Sequence, residues 1–292
     1  MKAATSKHWR EVMGNKITAN ALRSVLGDET AEKVIAGPQI GYWPDIKDPS
    51  SFNEKILHRK LYTDNRKFSQ LEDKYRVRTY ISNKIGEKYL PELYHVANNA
   101  SEISFNDLPE KFVIKASHGS GWNIIVKNKE KINLDNVRKN CSQWLEQEYA
   151  SHRSEYWYSK IEPRILIEEY INSDNSSLRD YKFFVFHGNV KLIQVDYNRF
   201  SDNHTRRFYN PNWEPQKFEL YHPIGPVTDP PPNLNNMLDI AEDLGKEFNF
   251  VRVDLYNPFK DEVYFGEITV GHGSGTERFR PVKWDYKMGG YW

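Results

Sequence analysis

FVIKASHGSGWNIIVK (residues 112–127) holds two short apolar runs on either side of a glycine-rich break. Phe112, Val113 and Ile114 precede Lys115, and Ile124, Ile125 and Val126 follow the break. Runs of this length, rich in β-branched residues, form strands, so the stretch predicts a hairpin with a flap at its tip. Lys115 ends the first strand, and Gly119 and Gly121 follow within a few residues. A lysine in that place can lie against phosphate oxygens while bare backbone N–H groups of the loop close over them. The ordinary alternative is a lysine that merely ends an edge strand. The spelling HGSG recurs as His272–Gly275 in YFGEITVGHGSGTERF, which raises the question of whether the two copies share one job.

Bulk properties bound the setting. A chain of 292 residues, 38% apolar and 28% charged, suffices for one large or two small globular domains. Lys plus Arg number 41 against 40 for Asp plus Glu, so a net charge of +1 gives no broad field for nucleic acid or a membrane surface. Nucleic acid is not expected as a partner. The single cysteine, Cys141, makes no internal disulfide, which suits a reducing compartment. No apolar run follows the charges of MKAATSKHWREVMGNK, and no 18-residue apolar stretch occurs, so a cytoplasmic chain that does not span a membrane is expected.

Outward from the flap, the chain changes texture once. ITANALRSVLGDETAEKVIAGP has helical spacing, with Gly37-Pro38 as its expected stop. SFNEKILHRKLY and SQLEDKYRVRTYISNKIG each begin with a candidate capping box, Ser51 with Glu54 and Ser69 with Glu72. Residues 1 to about 87 thus read as mainly helical. Short strands follow: PRILIEEYI after a helix capped by Asn133, RDYKFFVF and VKLIQVDY around His187-Gly188-Asn189, and FVRVDLY and EVYFGEITV across NPFKD. Between them lies a helical stripe of Leu234, Met237, Leu238, Ala241, Leu244 and Phe248. The fold class is α+β with largely antiparallel strands rather than a run of βαβ units.

Several chemistries are set aside. Neither HGSG is a G-x-S-x-G nucleophile elbow, because His118 or His272 stands where glycine is required. The phosphate loop G-x-x-x-x-G-K-[ST] and the zinc motif H-E-x-x-H are absent. A charge constellation remains. In FVRVDLY, Arg252, Asp254 and Tyr256 share one strand face, and Phe265, Glu267 and Thr269 share a face of the next strand. Pairing Asp254 with Phe265 makes Asp254 and Glu267 diagonal neighbours roughly 7–8 Å apart. Two carboxylates so placed can reach one hard cation such as Mg²⁺. Arg252 would then stand where a transferred phosphoryl group sits.

With these residues in view, DKYRVR, FVIKASHGSG, ILIEEYI, RDYKFFVF, VRVDLY and GEIT occur in the order and rough spacing of ATP-grasp ligases. KASHGSGWNIIVK, VRVDLY and YFGEIT resemble, more narrowly, the teichuronopeptide-biosynthesis type found in bacterial surface-polysaccharide loci. The resemblance runs from about residue 70 to 292. It implies an ATP-grasp fold, two α+β subdomains with antiparallel sheets gripping ATP, preceded by a helical region. The expected division is 1–70 for the helical region, 71–171 for the leading helix and the subdomain with the flap, and 172–292 for the subdomain with the metal site.

By the same resemblance Lys115 holds nucleotide phosphates under the flap Ser117, His118, Gly119, Ser120, Gly121 and Trp122. Lys74 lies near the purine end. Glu168, Glu169, Tyr170 and Ile171 form the strand end that reads adenine and ribose, and Asp180 and Lys182 face the nucleotide. Asp254 and Glu267 hold Mg²⁺ and Arg252 stabilises an acyl phosphate. Thr269 departs from the usual Glu-x-Asn, which puts a second metal ion in doubt. The implied reaction uses ATP and Mg²⁺ to join a carboxylate to an amine with formation of ADP. The implied substrates are a uronic-acid carboxylate and an amino acid or small amine in capsule or O-antigen synthesis, beside a membrane-bound assembly complex. Arg199, Arg206 and Arg207 are candidates to receive a sugar acid or nucleotide diphosphate, and His272, Gly273, Ser274, Gly275 and Thr276 to line the acceptor pocket. A kinase or glycosyltransferase using the same nucleotide site, or a non-catalytic nucleotide-binding subunit, stands as the alternative.

Overall fold

The computed structural model describes residues 16–149, 154–171, 178–199 and 201–292. The N-terminal stretch 1–15, on which the reading of a non-exported chain partly rests, lies outside the described residues. The helical part comprises α1 (Lys16–Leu26), α2 (Asp28–Ile40), α3 (Phe52–Tyr62), α4 (Arg66–Glu72) and α5 (Val77–Ile85). There follow β1 (Leu93–Ala97), β2 (Phe112–Ala116), β3 (Asn123–Val126), α6 (Leu134–Glu146) and β4 (Ile165–Glu169). The remainder holds β5 (Asp180–Phe186), β6 (Asn189–Tyr197), β7 (Thr205–Tyr209), β8 (Pro215–Gln216), β9 (Glu219–Leu220), α7 (Leu234–Gly245), β10 (Val251–Tyr256), β11 (Tyr264–Thr269), β12 (Phe279–Arg280) and α8 (Lys283–Gly289).

Local chemistry accounts for several element ends. Ser51 accepts from the Glu54 N–H while Glu54 reaches back to the Ser51 N–H, the reciprocal box that starts α3. Asn133 caps α6 through the Asn136 N–H. Two expectations fail for identifiable reasons. Gly37-Pro38 does not stop α2, which continues to Ile40 and ends at left-handed Gly41 (φ 93°), whose N–H bonds back to Gly37 O. Pro38 removes one ladder bond, and the extra turn buries Ile40. Ser69 and Glu72 do not form a cap, since Asn65 caps α4 and both residues lie within the helix. Glu72 instead accepts from the Val270 N–H at 2.8 Å and from the Tyr158 hydroxyl at 2.7 Å.

Two antiparallel sheets frame the molecule, one in the order β1-β4-β2-β3 and a second in the order β11-β10-β5-β6-β7-β8. His187 (φ 48°) and Gly188 (φ 74°) turn β5 into β6, as a tight hairpin requires. The β10–β11 register corrects the sequence expectation: Asp254 stands opposite Glu267, and Leu255 opposite Phe265. Gly266 is the extra residue of a bulge, where a Cβ would meet Asp254 O at 3.0 Å and the Tyr256 ring at 2.9 Å. The bulge brings the two carboxylates directly across from one another.

The second sheet is covered on both faces. Phe183, Val185, Ile193, Val251 and Val253 pack under α5 and α7 with Ile81, Met237, Ala241 and Leu244. Phe184, Phe186, Phe208 and Phe250 pack on the other side against Phe52 and Ile56 of α3 and Met288 of α8. The N-terminal helices therefore complete the core of the C-terminal sheet. Arg59 of α3 is 2% exposed and donates to Phe250 O at 2.9 Å, Val270 O at 2.7 Å and Asn249 Oδ1 at 2.5 Å. Burial lowers its pKa to about 9, yet it remains charged at neutral pH, with Trp292 4.1 Å from its guanidinium carbon. Arg59→Ala strips partners from three acceptors and is expected to cost about 3 kcal/mol of unfolding free energy. Urea unfolding checks this, and a change under about 1 kcal/mol contradicts it.

Candidate nucleotide and reaction site

A cleft of about 200 Å³ lies between the sheets, walled by Lys74, Arg78, Lys115, Ser120, Gly121, Trp122 and Glu168 on one side and by Asp180, Arg199, Asp254, Tyr256 and Glu267 on the other. On β2 the alternating pattern sends Phe112, Ile114 and Ala116 into the core and turns Lys115 to the cleft. Lys115 Nζ meets Glu168 Oε2 at 2.7 Å, and Arg78 holds Glu168 Oε1 at 3.0 Å while donating to Pro91 O at 2.7 Å. Glu168, 5% exposed, is thus shared by two cations. Glu169 continues to the edge of the wall, accepting from the Glu92 N–H at 3.2 Å, with Tyr170 and Ile171 half-buried beyond it.

The flap divides into a fixed base and an open tip. Ser117 Oγ donates to Glu162 O and accepts from the Arg164 N–H, both at 3.0 Å. His118 Nε2 donates to Trp144 O at 2.9 Å, and burial lowers the pKa of the ring. A Cβ on Gly119 would come within 2.5 Å of the Trp122 ring, so the flap's own tryptophan requires glycine there. Lys74 reaches the flap rather than standing apart from it: its Nζ donates to Gly119 O at 2.5 Å and its N–H to Ser117 O at 3.2 Å. Burial lowers the Lys74 pKa, and Glu267 and Glu72 oppose that shift.

Strand pairing assembles the opposite wall. Asp254 lies between Lys182 on β5 and Glu267 on β11, so the three side chains share one row across three strands. Arg252 donates from Nε to Asp254 Oδ1 at 2.6 Å and from NH2 to Asp254 Oδ2 at 2.7 Å and Glu267 Oε1 at 2.6 Å. Lys182 Nζ meets Asp254 Oδ2 at 2.6 Å and also pairs with Asp180. Asp180 in turn accepts from Arg199 at 2.9 Å. Burial pushes Asp254 up to about 6 against the pull of Arg252 and Lys182. For Glu267 burial also works upward, but Arg252 and Lys182 outweigh it and hold the group near 2. The Glu267 side chain is 42% exposed, so water screens part of that attraction.

The donor set fits an oxygen-ligated divalent cation. Asp254 and Glu267 already converge on one positively charged atom, Arg252 NH2, and Asp180 contributes a buried Oδ1 that no group satisfies. Among the described residues no three His, Cys, Asp or Glu side chains form a ready cage. A cation that takes few protein ligands and fills its shell with phosphate and water, as Mg²⁺ does, suits that set. Thr269, two residues beyond Glu267, donates its hydroxyl to Glu267 Oε1 at 3.4 Å.

Other candidates lie away from the cleft. Arg206 is 7% exposed and pairs with Asp196 and Glu277, each at 2.8 Å. Arg207 donates to Gly225 O. His272, Ser274 and Gly275 are buried, and a Cβ on Gly275 would lie 2.9 Å from Asn53 O of α3. Arg78, Glu72 and Tyr256 line the cleft although the sequence did not mark them as site residues: Glu72 read as part of a helix cap and Tyr256 only as a strand-face neighbour of Asp254. The spacing of Lys74 and Arg78 within DKYRVR, one helical turn apart, was the available signal for the first. Burial pushes Glu72 up to about 8, and nothing local in SQLEDK foretells its partners.

Comparison with known proteins follows this geometry. Among curated proteins none matches the chain. Similar solved structures include D-alanine–D-alanine ligase from Bacillus anthracis complexed with ATP, at 16% identity and a TM-score of 0.44, covering 70% of this chain and 57% of that one. L-amino acid ligase from Bacillus licheniformis follows at 14% and 0.44, covering 76% and 46%. The ATP-grasp ligase PsnB complexed with minimal precursor stands at 9% and 0.39, covering 85% and 64%. The chain thus spans less than two thirds of the length of each. The model of the TupA-like ATP-grasp family matches residues 54–292, from α3 through both sheets, and the chain belongs to that family and has the ATP-grasp fold.

Proposed function

We propose that this chain is an ADP-forming ligase that joins a carboxylate to an amine. The observation that carries the reading is the carboxylate pair Asp254 and Glu267, bridged by Arg252 and braced by buried Lys182, with the two carboxylates facing Lys115 and the glycine flap across one cleft. Lys115 and Lys182 neutralise phosphate oxygens, and Arg252 lies where charge accumulates during phosphoryl transfer. A substrate carboxylate attacks the γ-phosphoryl group of ATP, giving an acyl phosphate and ADP. The amine then displaces phosphate and leaves an amide. Asp254 and Glu267 would hold Mg²⁺, which would supply charge neutralisation on the phosphates. The protein's own work is to orient the reactants and exclude water that would hydrolyse the acyl phosphate.

The finer reading is a cytoplasmic enzyme that attaches an amino acid or small amine to a uronic-acid carboxylate of a surface polysaccharide, beside a membrane-bound assembly complex. It is supported by the likeness of KASHGSGWNIIVK, VRVDLY and YFGEIT to the teichuronopeptide type. It is also supported by Arg199, the arginine of RFSDNHTRRF that lines the cleft and pairs with Asp180.

Incubation with ATP, Mg²⁺, uronic-acid donors and an amino-acid pool is expected to give ADP and an amide detectable by mass spectrometry. ADP release that needs only a sugar hydroxyl sinks the ligase reading. Arg252→Lys loses the two-carboxylate fork and is expected to lower kcat by about 100- to 1000-fold. Its affinity for ATP should stay within about threefold of the parent; a loss confined to ATP binding contradicts the role. Gly119→Val collides with Trp122 and is expected to weaken ATP binding about tenfold or more, an effect of at least ~1.4 kcal/mol. Calorimetric titration with ATP checks it, and unchanged affinity rules out the flap's part in binding.

A further inference from the structure

The second HGSG is left without a task by the cleft itself. We propose that His272, Glu277 and Arg206 form a positioning relay that fixes the orientation of the Arg252 guanidinium for phosphoryl transfer. The proposal rests on the ligase reading. The two carboxylates hold Arg252 through Nε and NH2, and NH1 donates to His272 Nδ1 at 2.9 Å. An imidazole nitrogen that accepts from a guanidinium carries no proton of its own, so the ring proton of His272 sits on Nε2.

Nε2 lies 3.2 Å from Glu277 Oε2, within ion-pair reach but outside hydrogen-bond geometry, so the buried nitrogen has Glu277 as its nearest acidic neighbour without a formed hydrogen bond; that same oxygen is held by Arg206 NH1 at 2.8 Å. Arg206 is fixed further by Asp196 at 2.8 Å and Leu220 O at 3.1 Å. Burial keeps His272 neutral, with its pKa down at about 4 although Glu277 pulls it up. A charged imidazolium there would set two donors against each other and repel Arg252. Phe184 and Phe52 hold the ring, their centroids 4.8 Å and 6.1 Å away.

The glycines of this HGSG then have a physical reason. Gly273 (φ 56°), Ser274 (φ 55°) and Gly275 (φ 70°) turn the chain through left-handed conformations. A Cβ on Gly273 would strike Glu277 Cγ at 2.6 Å, so glycine leaves the passage by which Glu277 reaches the histidine. The first HGSG fits its glycine against Trp122, and the second fits its glycine against Glu277; the shared spelling has two causes.

Three variants and one spectrum test the relay. His272→Phe keeps a ring but removes the acceptor, and kcat should fall about 100-fold, the usual cost of a misoriented catalytic group. ATP affinity should stay within about threefold. His272→Asn places an acceptor oxygen near the Nδ1 position and should recover at least about tenfold of that loss. Glu277→Gln lets the side-chain amide donate to Nε2, shifts the proton to Nδ1, and should lower kcat at least about fivefold with ATP affinity kept. Nitrogen-15 spectra of histidine-labelled protein, with the His272 signal assigned by its loss in His272→Phe, should show bare Nδ1 and protonated Nε2. Protonated Nδ1 in the parent overturns the relay whether or not the ligase reading holds. Equal loss of kcat and ATP affinity in all three variants, or no recovery in His272→Asn, also overturns it. A parent enzyme that forms no ADP with any carboxylate and amine sinks the ligase reading instead, and the spectrum still decides the tautomer.

Discussion

The arrangement turns on one fork: a guanidinium held between Asp254 and Glu267, which the β10–β11 register places directly opposite each other. Without the bulge at Gly266 the carboxylates would be offset by a strand position and Arg252 could not touch both. With it, Arg252 NH2 bridges the pair and Lys182 shares Asp254 Oδ2 with it. A single extra residue in one strand thus sets the two carboxylates side by side at the cleft.

Such a cluster is a poor source of stability. Desolvating Asp180, Lys182, Arg252 and Asp254, all under a tenth exposed, costs about as much as their attraction returns. Its value is orientation: every charge is held from at least two sides, which fixes the polar groups in advance. The stability comes from elsewhere, from the aromatic packing of Phe52, Phe184, Phe186 and Phe250 between α3 and the sheet and from buried Arg59 with its three acceptors. The N-terminal helices therefore support the site without lining most of it, apart from Leu71 and Glu72 at the end of α4 and the Lys74–Arg78 segment at the cleft.

What could be read from the sequence was local. The Ser51–Glu54 box, the Asn133 cap, the His187-Gly188 turn and the strand alternation around Lys115 and Asp254 each depend on neighbours a few residues away. What escaped depends on distant partners. Ser69 and Glu72 have the spacing of a cap, but Glu72 is taken by Val270, 198 residues on. Arg78 finds Glu168 across 90 residues. Arg206 looks like an exposed charge in RFSDNHTRRF and is buried because Asp196 and Glu277 pair with it. The second HGSG carries the same letters as a flap, yet α3 packs over it.

The central claim is that the substrate carboxylate itself receives the phosphoryl group. Turnover of a heavy-oxygen-labelled uronic acid with ATP and an amine tests it most directly, through the mass of the phosphate released. The account predicts one labelled oxygen in each phosphate, carried over from the carboxylate. Unlabelled phosphate alongside amide formation contradicts it.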